Sequence, residues 1–179
     1  PLRFGDGGHY RIEIPSVEGP AALAAVLDEA GRRGVRVHRV SQGSGMMLLT
    51  EGELRDMAAL GAEHQVEVSL FVGPRANWDG TGQPLTPDGK LLGSRHTGMD
   101  QLAYAFEDIV RGCEAGIRSI LVADEGLLWL VNEGRRRGVL PANLVVKGSA
   151  VLGAANPLGI KLLEDNGLDT INVASDITL

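Results

Sequence analysis

The sequence predicts an α/β protein: a parallel (β/α) barrel of TIM type, present as a partial barrel of about six strands and five helices. Three observations predict it. Short apolar, β-branched runs alternate with helical patterns along the whole chain. One punctuation recurs: helix, glycine, apolar residue, strand. It falls at Gly34-Val35, Gly116-Ile117, Gly138-Val139 and Gly167-Leu168, and Gln65-Val66 holds the same place without the glycine. The intervals are 31, 51, 22 and 29 residues, and βα units of that size require parallel strands joined by right-handed crossovers. Finally, the run Ile117 to Glu125 ends abruptly in two carboxylates, where barrels and open α/β sheets place their chemistry.

Taken in order, Tyr10-Arg-Ile-Glu-Ile14 alternates and reads as the first strand. Pro20 opens the first helix, Leu23, Val26, Leu27 and Ala30 follow at helical spacing, and Gly34 closes it. Val35 to Val40 is the second strand, followed by a small polar loop, Ser41 to Gly45. Thr50 and Glu53 form a capping box for the second helix. Val66 to Val72 is the third strand. A polar stretch from Gly73 to Gly98 comes next, of a length that suits a lid or binding loop. The third helix carries Leu102, Phe106, Ile109, Val110 and Cys113 on one stripe. Leu127 to Arg137 is the fourth helix and Leu144 to Ser149 the fifth strand. Asn156-Pro157 starts the fifth helix, with Asn as N-cap, and Thr170 to Val173 is the sixth strand.

An open doubly wound sheet also fits this alternation, but no Gly-x-Gly-x-x-Gly follows the first strand, which weakens a dinucleotide-binding reading. Six strands fall short of eight, so residues 1–179 are expected to be one barrel-type domain that is either a piece of a larger barrel, truncated at the C-terminus, or one whose remainder is supplied elsewhere.

The net charge of −6 and pI near 5.2 argue against a general nucleic-acid binder. A single cysteine, Cys113, excludes a disulfide framework and an all-cysteine metal or iron–sulfur site within these residues. No apolar run approaches the roughly 20 residues of a membrane span. A cytoplasmic enzyme or binding domain is the expectation, with a small-molecule or peptide substrate and self-association into a homo-oligomer open to it.

The segment Ser149-Ala-Val-Leu-Gly-Ala-Ala-Asn156-Pro157, a helix, and then Gly167 to Leu179 resembles the peptidase U32 family, as does the series of βα units that includes Val122-Ala-Asp124. The resemblance implies a TIM-barrel-like fold and a peptidase, collagenase or broader hydrolase activity. Related members carry a four-cysteine iron–sulfur cluster and act in nucleic-acid modification or ubiquinone hydroxylation. The family's His-Gly segment with paired cysteines has no counterpart here, so the resemblance assigns no catalytic residue.

From the residues themselves, Asp124, Glu125 and Lys147 are the catalytic candidates. Adjacent residues of a strand face opposite ways, so Asp124 is expected to line the site and Glu125 to cap the following helix. Lys147 interrupts the apolar run of the fifth strand. A buried ammonium needs a partner, and such lysines bind anions, form Schiff bases, or pair with an acid, here Asp124 or Glu13. Glu13, His38 and Asp124 together suit a divalent cation at the barrel mouth. Arg75, Asn77, Trp78, Asp79, Arg95 and His96 of the long loop, with Asn156, Asn172 and Asp176 near later strand ends, are the substrate-binding candidates. Ser41 to Gly45 offers backbone N–H groups to a phosphate but lacks the P-loop lysine. The expected function is hydrolysis of the U32 type. The alternatives are a lyase, aldolase or isomerase acting on a small anionic substrate, and a non-catalytic barrel that scaffolds a partner.

Overall fold

The computed structural model describes residues 3–78, 82 and 85–173, with side-chain detail for all of these but residue 91. Six parallel strands form one sheet in chain order: β1 (Glu13–Ile14), β2 (Arg39–Gln42), β3 (Glu67–Phe71), β4 (Ser119–Val122), β5 (Val145–Gly148) and β6 (Thr170–Ile171). Five helices link them: α1 (Pro20–Arg33), α2 (Glu51–His64), α3 (Gly98–Glu114), α4 (Glu125–Arg136) and α5 (Pro157–Asp165). This is the expected partial (β/α) barrel.

The sheet has two unlike faces. Val40, Val68, Leu70, Val72, Ile120, Val122 and Val146 point outward and pack with Leu23, Leu54, Met57, Ile109, Leu127, Leu128 and Val131 of the helices in one continuous core. The inner face carries a separate small cluster, Phe71, Leu121 and Ala123. Val145 shares this face, and its remaining members are polar: Glu13, Arg39, Ser41, Glu67, Ser69, Ser119 and Lys147. The alternation is the period of two of a strand, with helices covering one side only.

The register shows that the sheet curls as a barrel does. Following the pairs from Glu13 through Arg39 to Glu67, and on through Ser69–Ser119 and Ser119–Val145, leads to residue 143 before β5. Lys147, which bonds Glu13 across the interior, is four residues further after four strand steps. A stagger of about one residue per strand is that of an eight-stranded barrel of shear 8.

The repeated punctuation has a conformational basis. Gly34, Gly116, Gly138 and Gly167 all have positive φ, and so does Gln65. At Gly116, with φ +103°, the chain folds back so that Ile117 N–H bonds the Gly112 carbonyl and the strand starts toward the sheet. Gln65 makes the same turn at φ 54° with a side chain in place. The α2 capping box is formed as expected: Thr50 Oγ1 accepts from Glu53 N–H, and the Glu53 carboxylate accepts from Thr50 N–H.

The strands are shifted from their sequence-based limits. The first is regular only at Glu13–Ile14, and the second runs on through Ser41 and Gln42, which had read as loop. Both polar residues are buried and satisfied: Ser41 donates to Glu13, and the Gln42 amide bridges the N–H and C=O of Gly45. Ser41 on the polar inner face and Gln42 on the outer face, tied to Gly45, thus extend the strand beyond its apolar run.

Candidate functional site

Two groups of polar and charged side chains gather on the inner side of the sheet and at its rim, at different levels. The upper one lies at the C-terminal ends of β3 and β4. After β3 the chain passes through a cis Gly73–Pro74 bond into a 3₁₀ turn at Ala76–Trp78, and a second turn spans Lys90–Ser94. Ala76 N–H donates to the Arg95 carbonyl at 2.7 Å, so the two ends of the long loop meet. Its far end is fastened to β4 and α4: Arg95 pairs with Glu125, and the His96 backbone N–H donates to Asp124 Oδ2 at 3.3 Å. This is the convergence of loop and strand end that the sequence suggested.

Asp124 is the N-cap of α4 and also faces the end of the long loop. Its Oδ1 accepts from Leu127 N–H at 2.9 Å, and its Oδ2 faces His96. The expected division of labour is therefore corrected: Asp124 caps α4, while Glu125, on the first turn, turns outward to Arg95. A short side chain at the N-cap reaches the orphan N–H groups, whereas N1 projects away from them.

His96 is the unexpected centre of this group. Its side chain is 2% exposed, its Nδ1 lies 4.0 Å from Asp124 Oδ2, and neither ring nitrogen has a hydrogen-bond partner. Burial lowers its pKa below the ordinary imidazole value; Asp124 opposes that shift and Arg75 adds to it. Arg75 is buried, with its guanidinium stacked 4.2 Å from the Phe71 ring and 4.6 Å from the Trp78 ring. It donates to the carbonyls of Gly43 and Ser44, while its Nε has no partner. Desolvation pulls its pKa down and Glu18 opposes this.

The Ser41–Gly45 region is not a vacant phosphate cradle. The N–H groups of Gly43 and Ser44 donate to the Glu18 carboxylate at 3.2 and 3.1 Å, and Gly45 N–H to the Gln42 side chain. Glu18 fills the place an anion would take, and Arg75 takes the opposite, carbonyl side. Trp78 lies over Gly45 and Gly73, where a Cβ would collide with the indole. Asn77 is exposed beside it.

The lower group surrounds Lys147. This side chain is fully buried, and its ammonium donates to Glu13 and, at 3.1 Å, to Ser41 Oγ. Ser41 also donates to Glu13. Arg39 lies between two acids, 3.5 Å from Glu13 and in a two-pronged bond to Glu67 at 2.8 and 2.9 Å, and Ser119 donates to Glu67 at 2.7 Å. For Glu13, burial works upward, but hydrogen bonds from Lys147 and Ser41 and the charges of Lys147 and Arg39 outweigh it and lower the pKa. For Lys147, burial outweighs the pull of Glu13 and lowers the amine. Of the two acids the sequence offered to Lys147, the structure selects Glu13.

A cavity of about 560 Å³ opens between β1 and β6, lined by Glu13, His38, Arg39, Glu67, Thr170 and Asn172 among others. Asn172, a predicted binding residue, thus belongs to the lower group; its backbone N–H donates to Gly148. Asn156 is the α5 N-cap, with Oδ1 accepting from Gly159 N–H at 3.0 Å; it is exposed and structural. Asp176 and Asp79 lie outside the described residues.

The predicted metal grouping does not form. Glu13 is held by Lys147, Ser41 and Arg39; His38 precedes β2 and accepts Ile12 N–H on Nδ1 at 3.1 Å; Asp124 follows the far end of β4. Among the described residues no three His, Cys, Asp or Glu side chains converge as a metal site. The strand-end reading put Glu13 and His38 at the wrong end, because β1 begins at Glu13 and β2 begins after His38.

Sequence reasoning missed Arg39, Ser41, Glu67, Ser69, Ser119 and Glu18. The signal for most of them was polar residues two apart in short strands, Arg39-x-Ser41 and Glu67-x-Ser69, which mark one face of a strand as polar.

No family model matches the chain, and a search of curated proteins finds no match. Solved structures do match in fold. The CutC protein of Streptococcus agalactiae is 14% identical, with a TM-score of 0.54 over 93% of this chain and 74% of that one. The carboxyl transferase domain of Rhizobium etli pyruvate carboxylase is 14% identical, with a TM-score of 0.52 over 96% of this chain and 28% of that one. A tetrameric deoxyribose phosphate aldolase from Aeropyrum pernix is 14% identical, with a TM-score of 0.49 over 92% of this chain and 62% of that one. At such identities the first two establish the fold, and no helix among the described residues is long and apolar enough to cross a membrane.

Proposed function

We propose that the protein is a barrel enzyme of the lyase, aldolase or isomerase kind, acting on a small anionic substrate at the C-terminal rim, with His96 as general base. One observation carries this reading: a buried imidazole with both ring nitrogens unpartnered, beside a carboxylate. A buried polar group without a partner costs roughly 1–3 kcal/mol, so a folded chain that keeps one points to a ligand or a catalytic task at that place. Depressed by burial, His96 is neutral and proton-accepting at pH 7. It takes a proton from carbon next to a carbonyl or carboxylate, and Asp124 stabilises the imidazolium that results. Arg75, with its free Nε, supplies positive charge for the substrate anion or the developing enolate. Trp78, 38% exposed, offers a flat apolar wall above it.

The test is exchange of carbon-bound hydrogen in D₂O, followed by NMR over a panel of small keto acids, hydroxy acids and sugar phosphates. Exchange that His96→Gln abolishes and Asp124→Asn reduces supports the reading. Failure of every compound to exchange, or exchange undisturbed by His96→Gln, overturns it.

The U32 likeness of Ser149–Pro157 and Gly167–Leu179 favours a second reading, peptide hydrolysis at the same rim, with His96 and Asp124 activating water. Cleavage of gelatin or casein peptides, lost in His96→Gln, would support that reading instead.

A further inference from the structure

We infer that Lys147 is a carbonyl-reactive amine and that the cavity between β1 and β6 admits a small 2-oxo acid to it. This goes beyond the rim reading and concerns a different place in the barrel. Along β4, Leu121 stands in register with Lys147, and Ala123 intervenes on the same face before Asp124. Asp124 bonds His96 and Leu127; Lys147 bonds Glu13 and Ser41.

Three features point to the amine. The chain has three lysines, Lys90, Lys147 and Lys161. The other two are exposed, and Lys147 alone lies inside the sheet. Burial weakens its hold on the proton, which raises the fraction of free amine. Next, the atoms around it suit proton traffic: Glu13 and Ser41 both contact the nitrogen and each other. Last, a cavity reaches the carboxylate that holds its ammonium. Glu13, and Thr170, which pairs with Lys147 in the sheet, both line the cavity of about 560 Å³. Arg39 lines it too, paired with Glu67 and Glu13, and the carboxylate of an oxo acid would take the place of one of these acids on its guanidinium.

Charge balance selects carbonyl chemistry over acylation. The ammonium passes a proton to Glu13, and the freed nitrogen pair attacks the carbonyl carbon, whose oxygen takes that proton. The carbinolamine nitrogen then gives a second proton to Glu13. The hydroxyl leaves as water with that proton as the nitrogen pair forms the C=N bond. Overall, ammonium and carbonyl become iminium and water. The nitrogen is positive at the start and again in the iminium, so the Glu13 carboxylate has its cationic partner at both ends of the sequence. Acylation would leave a neutral amide beside a half-buried carboxylate that has lost its cationic partner.

The experiment treats the full chain with glyoxylate or pyruvate and sodium cyanoborohydride, then maps the reduced adducts by peptide mass spectrometry. The expected result is a secondary amine on Lys147, formed at least tenfold faster than on Lys90 or Lys161. Glu13→Gln, which keeps the lysine, should slow this labelling about a hundredfold if the carboxylate carries the protons, with circular dichroism confirming the fold. His96→Gln should leave it unchanged, which separates it from the rim chemistry. Equal labelling of all three lysines, absence of label on Lys147, or labelling of Lys147 indifferent to Glu13→Gln overturns the inference.

Discussion

The backbone N–H of His96 donates to Asp124 Oδ2 at 3.3 Å, and the imidazole Nδ1 of the same residue stands 4.0 Å from that oxygen. One carboxylate thus holds the end of the long loop by its main chain and faces its titratable ring as well. Because burial lowers the His96 pKa in the folded protein, the unfolded chain binds the proton first as pH falls. The His96 contribution to stability is therefore fully present above pH 6.5 and declines as pH drops from 6.5 toward the lowered folded value. Urea denaturation between pH 7.5 and 5.5 should show stability falling with pH more steeply in the wild type than in His96→Gln. Equal slopes would remove His96 as the cause.

Lys147→Met should destabilise the protein by about 3 kcal/mol, since it takes the buried ammonium from Glu13 and leaves that carboxylate only Arg39 and Ser41. Glu13 is 26% exposed at its side chain, and that solvent contact places the loss at the low end for a buried pair. Glu13→Gln combined with Lys147→Met should recover a good part of it. The check is a double-mutant cycle in urea, with strong coupling expected and simple additivity counting against the pairing.

Gln65→Gly should raise stability by roughly 0.5–1 kcal/mol, the left-handed cost of a side chain less the extra entropy glycine loses on folding. Gln65 stands at φ 54° where the other helix-to-strand turns carry glycine. A thermal melt decides it; an unchanged or lower Tm would mean that the Gln65 side chain contributes more than its strain costs.

Gly61→Ala should destabilise by about 1–3 kcal/mol through overpacking. A Cβ there would sit 2.7 Å from Val68 Cγ2 and 2.9 Å from the Val66 carbonyl oxygen, on the contact between α2 and β3. Substitution at Gly31, which has open space around its would-be Cβ, is the matched control and should not be destabilised. Equal losses at both positions would contradict close packing as the cause.

Much of the fold was legible because apolar runs and helix ends are local signals. The Gly116-Ile117 turn and the Thr50–Glu53 box are written in adjacent residues, and each forms as expected. The rim was legible as a place: Asp124 ends a buried strand, and the long loop had to return to it. The interior was not. Ser41 and Gln42 look like loop until a strand from another part of the chain presents Glu13. Likewise the choice of Glu13 over Asp124 for Lys147 depends on barrel stagger, a property of four strand pairs together. Glu13 and His38 were misplaced for the same reason: the sequence shows that a strand is present, but its pairing decides which end a residue occupies.

Among the described residues, each strand of this sheet pairs with its neighbours in sequence and with no other, β1 with β2 and onward to β6. A chain emerging from the ribosome can therefore dock each βα unit on the one just made, without waiting for a distant segment. An insertion between β3 and β4 would have to prise apart their three paired positions.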